Sequence, residues 1–261
     1  MSTQELLVEE KGKTRILTLN RAEARNALTK SLLGAVTAAL EEAAADASIR
    51  CVVLTGAGEH FCAGADLRRT LAEDPDFYDR LETYMDAYHG VIRAIVRCPK
   101  PVVAALDGCA VGFGADMALA CDLRVATTRA YVQEKFVDIG LMPDGGGTFW
   151  LPRLVGTARA LKAMFLADRL EAKELDALGV LAACVAPDAL ATATAALAER
   201  LEKGPPLAFA ALKASVYAGL GDLEAALRRE REGQLRLLRS ADAIEGVMAW
   251  SQRRAPDFQG A

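Results

Sequence analysis

The sequence predicts an α/β chain whose last third, beyond about residue 155, is helical. Three observations point there. Up to that residue, short aliphatic runs alternate with stretches of helical periodicity. Glycine-rich segments fall where an apolar run gives way to a turn or helix. After it, an alanine-rich pattern with helical spacing continues, broken at Gly204-Pro205-Pro206. Alternation of this kind is the mark of parallel strands joined by helices.

Arg15-Ile16-Leu17-Thr18-Leu19 reads as a strand, and residues 28–45 place Leu28, Leu32, Val36 and Leu40 on one helical face. Cys51-Val52-Val53-Leu54 is a buried strand ended by Thr55-Gly56-Ala57-Gly58. An irregular insert is expected over 68–80, where it would shape a pocket. A long helix over about 77–97 then carries Leu81, Met85, Tyr88, Ile92 and Ile95 on one stripe, and Pro99 and Pro101 stop it. Val102-Val103-Ala104-Ala105-Leu106 is a strand. The glycines of 108–114 lead into a helix ending near 121, and Leu123-Arg124-Val125-Ala126 and residues near 131–132 are strand-like. Helices follow over 157–167, 171–178, 188–203, 206–218 and 222–251.

At 261 residues the chain can bury a large core. A net charge of −4 without a long basic run gives no reason to expect nucleic acid. The cluster Arg228, Arg229, Arg231, Arg236 and Arg239 is interleaved with acids and reads as a solvated helix face. The six cysteines have apolar flanks and no CxxC spacing, which fits reduced, buried thiols. Two histidines are too few for a histidine-rich metal site, so no metal is expected. Met1-Ser2-Thr3-Gln4-Glu5 shows no signal-peptide pattern, and no apolar run has spanning length, so a cytoplasmic location away from the membrane is expected.

Three glycine-bearing segments stand out as carriers of chemistry: Phe61-Cys62-Ala63-Gly64-Ala65-Asp66-Leu67, Asp107 to Asp116, and Gly140 to Thr148. In the second, a glycine-rich turn entering a helix exposes backbone N–H groups that have no intrahelical partner. The helix dipole adds positive potential there. Such an end holds a phosphate or a developing enolate oxygen. Gly112-Phe113-Gly114-Ala115-Asp116-Met117 lacks the third glycine of a dinucleotide fingerprint, and no Gly-Lys-Ser/Thr of a P-loop follows. That disfavours a nucleotide-binding dehydrogenase. A tight turn with close helix packing would explain the segment taken alone.

Taken together, these segments resemble the enoyl-CoA hydratase/isomerase (crotonase) superfamily over nearly the whole chain. Asn20 to Leu28 looks like its N-terminal signature, Phe61 to Leu67 like its first oxyanion segment, Gly108 to Asp122 like its second, and Gly140 to Gly156 like its third signature. The resemblance implies repeated ββα units forming a spiral core over 1–200, and a helical C-terminal region over 201–261 that mediates trimer formation. It also implies an acyl-CoA substrate, coenzyme A being part of that substrate rather than a separate cofactor. The backbone N–H groups of Ala65 and Phe113 would form the oxyanion hole, Phe113 trimming the acyl pocket. CoA would run along 24–27 and 63–68, touching Arg25, Ala27, Ala63, Ala65, Asp66, Leu67 and Arg68, with Arg25 and Arg68 toward its phosphates.

The acid–base residues depart from the hydratase pattern. Hydratases of this type hold water between two glutamates; the first position is Asp116 here and the second is Phe136, which moves no proton. Asp144 stands where hydratases carry glycine and where several double-bond isomerases carry an acid. Burial beside Phe136 is expected to raise its pKa. One carboxylate can take a proton from one carbon and return it to another. Isomerisation of an enoyl-CoA with Asp144 as base is therefore favoured over hydration, and a non-catalytic acyl-CoA-binding relative is the third reading. Other roles stay open. Asp144 fits the N-cap of a helix beginning at Gly145, and Asp116 a dipole-stabilised helix residue. Glu134 replaces the missing glutamate if the register slips, and Asp66 suits a structural or CoA-side role better than catalysis. The apolar C-terminal helices suit a homotrimer or hexamer, although an intramolecular core would look the same.

Overall fold

In the computed structural model, which describes residues 4–219 and 223–256, the chain opens with a hairpin absent from the sequence reading. Strand β1 (Leu6–Lys11) pairs antiparallel with β2 (Thr14–Leu19), the reversal falling at Gly12 with φ +62°. Strand β1 escapes a periodicity search because only Leu6 of its six residues is buried. Helix α1 (Lys30–Ala45) follows, capped by Thr29, whose hydroxyl accepts the Leu32 N–H at 3.1 Å. Next come β3 (Cys51–Gly56), α2 (Leu67–Glu73) and α3 (Leu81–Arg97). Then β4 (Val102–Leu106), β5 (Cys109–Val111) and α4 (Phe113–Ala120) are followed by β6 (Leu123–Thr127) and β7 (Tyr131–Gln133).

The second half contains α5 (Gly147–Val155), α6 (Thr157–Leu166), β8 (Leu170–Glu171), α7 (Ala172–Ala177) and β9 (Ala183–Val185). Helices α8 (Leu190–Glu202), α9 (Pro206–Gly219), α10 (Leu223–Leu237) and α11 (Ala241–Gln252) complete it.

The main sheet runs β1-β2-β3-β4-β6-β9, parallel from β2 onward. A smaller sheet, β5-β7-β8, stands beside it. The single bridges Leu28↔Ala65 and Cys62↔Ala110 continue this second line of pairing back toward the N-terminus. Each turn of chain thus lays down a long strand, a short pairing and a helix, the ββα unit repeated as a spiral. Parallel strands buried on both faces read as continuous apolar runs. In β3, Val52 and Leu54 enter the large core with α1 and α3, while Cys51 and Val53 face a second core under α8.

Three expectations are corrected. The insert over 68–80 is ordered: Asp66 caps α2 by accepting the Arg69 N–H at 3.1 Å, and Phe77–Arg80 form a 3-10 turn. The region beyond 155 is not wholly helical, because β8 and β9 add to the two sheets; two or three residues are too few for a period to show. The helix expected over 222–251 divides where Ser240 caps α11 by accepting the Ala243 N–H at 3.0 Å; its expected start at 222 lies outside the described residues. The expected cationic face is exposed at Arg228, Arg236 and Arg239, with Arg231 half-buried against Glu82 at 3.2 Å; the Arg229 side chain lies outside the described residues.

The C-terminal helices are fastened to the core by polar contacts. Lys213 Nζ of α9 donates to Asp122 Oδ2 at 2.7 Å and to the Ile95 carbonyl at 2.9 Å, and the Tyr217 hydroxyl donates to Asp122 Oδ1 at 2.8 Å. From α10, Glu224 accepts from Arg93 at 3.2 Å. Among the described residues, no helix is long and apolar enough to cross a membrane.

Candidate active site

The second line of pairing positions two backbone donors. Gly64 takes φ +88°, and its carbonyl accepts the Leu28 N–H at 2.8 Å, while the Asp66 N–H returns to the Leu28 carbonyl at 2.9 Å. The Ala65 peptide between them has no backbone acceptor among the described residues. One turn further on, the Cys62 N–H donates to the Cys109 carbonyl at 2.9 Å, the Cys62 carbonyl accepts the Val111 N–H at 2.9 Å, and the Gly112 N–H reaches the Gln133 carbonyl at 2.9 Å. Gly112, with φ +55° and ψ −129°, then turns the chain so that Phe113 begins α4. Its N–H lies in the first turn, where no intrahelical acceptor exists. A side chain on Gly64 would meet the Val111 carbonyl oxygen at 2.7 Å and the Phe113 nitrogen at 3.6 Å, so the two turns touch here. Ala65 and Phe113 line one cavity.

That cavity holds about 150 Å³, and its wall is mostly apolar, with Phe77, Tyr84, Tyr88, Phe113, Phe136 and Trp250 as its aromatic members. The Phe113 ring lies 4.6 Å from that of Tyr88, and both line the cavity. Burial, followed by the nearby Asp144 charge, pushes the Tyr88 phenol upward and keeps it neutral.

The carboxylates are sorted by the packing. Asp144 is 5% exposed and lines the cavity. Its Oδ2 accepts from Gln234 Nε2 of α10 at 3.0 Å. It is not the N-cap of α5, which begins at Gly147 with Gly146 in the cap position at φ +95°. Its main-chain carbonyl accepts a hydrogen bond from His89. Burial first, and then Arg93, push that imidazole down to about 4, so it is neutral at pH 7.

Asp116, expected as a second catalytic acid, is fully buried and absent from the cavity wall. Its Oδ2 accepts the Gly145 N–H at 2.9 Å, which braces the segment carrying Asp144. Phe113, three residues earlier on the same helix face, stands between Asp116 and the opening: a side chain on Gly145 would meet Asp116 Cβ at 2.6 Å and the Phe113 ring at 2.7 Å. Glu134, the slipped-register alternative, is 2% exposed and also absent from the wall. A side chain on Gly147 would meet Asp116 Oδ1 at 2.5 Å and Glu134 Oε1 at 2.8 Å, so both acids converge behind α5 rather than in the cavity. Phe136 lies on the wall with its ring 3.8 Å from where a side chain on Gly112 would begin. Asp138 lies at the rim, exposed and 3.4 Å from Lys135.

Of the residues expected along CoA, Ala63, Ala65, Leu67, Phe113 and Phe136 line the cavity. Arg25, Ala27, Asp66 and Arg68 lie outside its wall. Asp66 is the α2 cap and pairs with Arg21 at 2.8 Å, a structural role. Ala27 is buried, and its carbonyl accepts from Arg21. Arg25 is exposed at φ +51°. Arg68 is exposed, its guanidinium 5.9 Å from the Trp250 ring. Sequence reasoning missed Tyr84, Met85 and Tyr88 as wall residues because a helical stripe reads as core. It missed Gln234 because nothing in a charge-rich helix marks one amide. Among the described residues, no group of three or more His, Cys, Asp or Glu side chains is arranged to hold a metal.

A family model described as enoyl-CoA hydratase/isomerase matches residues 9–261. A Rhodobacter capsulatus protein named "Probable enoyl-CoA hydratase" is 42% identical over 247 residues, covering 94% of each chain. The 1,2-epoxyphenylacetyl-CoA isomerase of Escherichia coli is 36% identical over 256 residues, covering 96% of each. Among solved structures, an enoyl-CoA hydratase from Mycobacterium avium subsp. paratuberculosis superposes with a TM-score of 0.89 at 35% identity, over 99% of this chain and 100% of the other. The fold of those proteins is the spiral of ββα units described above.

Proposed function

This chain belongs to the enoyl-CoA hydratase/isomerase family, and from that premise we propose that it shifts the double bond of an enoyl-CoA, with Asp144 as the base. One observation carries the choice within the family: among the described residues lining the cavity, Asp144 is the only buried carboxylate. In a 3-enoyl-CoA, Asp144 removes the proton on the carbon next to the thioester carbonyl. The electrons of that C–H bond pass to the carbonyl oxygen, giving a dienolate that accepts hydrogen bonds from the Ala65 and Phe113 N–H groups. Charge develops on this oxygen in the transition state, so preorganised donors there lower the barrier. The protonated Asp144 then delivers its proton to the fourth carbon, and the double bond comes to rest between the second and third. Arg25 and Arg68, both exposed, are the cations proposed for the CoA phosphates.

Water addition needs a second carboxylate, and Asp116 and Glu134 stand behind the wall. Hydration is nevertheless the competing reading, favoured by the hydratase name of the Rhodobacter capsulatus relative. Incubation with a 3-enoyl-CoA and, separately, a 2-enoyl-CoA decides between them by mass. The expected result is double-bond migration at unchanged mass; rapid gain of one water from the 2-enoyl-CoA overturns it.

Self-association as a homotrimer or hexamer, in the cytoplasm, completes this reading. Its support is the exposed apolar surface of α6 and α9, where Phe165 is 69% and Leu207 85% exposed. Light scattering is expected to give a multiple of the 27.8 kDa chain, and a monomer at working concentration removes it.

A further inference from the structure

We propose that Gln234 of α10 is a positioning residue for Asp144, so that the C-terminal helical segment completes the catalytic base as well as covering the core. The proposal rests on the reading of Asp144 as base. Gln234 is 1% exposed, and burying an amide is costly unless both its ends are satisfied. Both ends meet the same loop. Nε2 donates to Asp144 Oδ2 at 3.0 Å, and Oε1 faces the Met142 N–H at 3.4 Å. The amide cannot be turned over, because the Met142 N–H can only donate and an ionised carboxylate can only accept. Its orientation is therefore dictated by the loop, and the loop's carboxylate is held by it in return.

The close approach of the two C-terminal helices follows from small residues. A side chain on Gly233 of α10 would meet Met142 Sδ at 2.5 Å, and one on Gly246 of α11 would meet the Ile139 backbone at 2.5 Å. A helix bearing larger residues at these places would stand off and lift the amide away from Asp144. From the opposite side, His89 of α3 holds the Asp144 main-chain carbonyl. Asp144 is thus held at its backbone by one helix and at its carboxylate by another.

Donation to the ionised form of a carboxylate favours that form, so losing the amide makes Asp144 easier to protonate. Activity requires the ionised base, and the acid limb of the pH–kcat profile must then move upward. The other titratable groups around Asp144 are Tyr88 and His89 on α3, Asp116 on α4, Glu134 after β7, and Lys135 and Asp138 at the rim; all are common to the variants compared.

The experiment measures pH–kcat and KM profiles on the full chain with a 3-enoyl-CoA, for wild type, Gln234→Met, Gln234→Glu and Asp144→Asn. Gln234→Met keeps the length without the amide; its acid limb is expected to rise by about one pH unit, with kcat lowered ~10-fold at the plateau and KM nearly unchanged. Gln234→Glu sets a like charge against Asp144 and moves the limb upward as well. An unmoved limb and plateau in Gln234→Met, alongside an inactive Asp144→Asn, overturn this proposal and leave the base assignment standing. Full activity in Asp144→Asn overturns both. Should Gln234→Met fail to fold by circular dichroism, Gln234→Glu carries the comparison, and an unmoved limb there overturns the proposal.

Discussion

Asp144→Asn is expected to lower kcat for double-bond migration by ~10²–10⁴, the usual contribution of a positioned general base. The substitution removes proton transfer and little else. Asparagine has nearly the volume of aspartate and retains a carbonyl oxygen that can accept from Gln234 Nε2, as Oδ2 of the aspartate does at 3.0 Å. Asp144 is not a helix cap, so the cost of losing one does not arise. KM and melting temperature should accordingly move little. Comparing single-turnover rates with wild type at saturating 3-enoyl-CoA checks this, and wild-type kcat in the variant sinks the assignment.

Gly64→Ala is expected to cost ~10²–10³ in kcat, the loss typical of one oxyanion donor. Two constraints meet at this residue. Its φ of +88° is one that L side chains rarely adopt. An added methyl would also sit 2.7 Å from the Val111 carbonyl oxygen, a main-chain atom that cannot swing aside. Relief requires the 62–65 turn to retreat from 111–113, which carries the Ala65 N–H away from the Phe113 N–H. Stability should fall by about 1–3 kcal/mol from the strained backbone, read from urea unfolding. Near-normal turnover in a folded Gly64→Ala would show that these two amides do not act together on one oxygen.

Much of the spiral is legible in the chain because its cause is local. Val102 to Leu106 are five consecutive buried residues, as a strand covered on both faces must be. Gly64 and Gly112 announce turns that need positive φ, and both take it. The hairpin strand β1 and the short β8 and β9 are illegible for the opposite reason. Strand β1 is too exposed to show a period, and β8 and β9 are two or three residues long and pair with β7 and β6, distant in the chain.

The candidate site divides in the same way. The resemblance carried by the glycine-bearing motifs picks out Ala65, Phe113, Phe136 and Asp144, and favours Asp144 as base. It leaves Asp116 as a second catalytic acid and Glu134 as an alternative, because nothing local says which way three acids in one stretch of chain face. Packing separates them. Asp116 is taken up by the Gly145 N–H, and Glu134 converges on the same point behind α5. Gln234 comes to Asp144 across 90 residues of chain. Fold class, the two glycine turns and the family were therefore set by residues near one another in the chain, whose backbone preferences and burial patterns act locally. Which carboxylate faces the cavity, and which helix holds it, was decided only by the tertiary structure, because a side chain's direction depends on neighbours that the folded chain alone brings together.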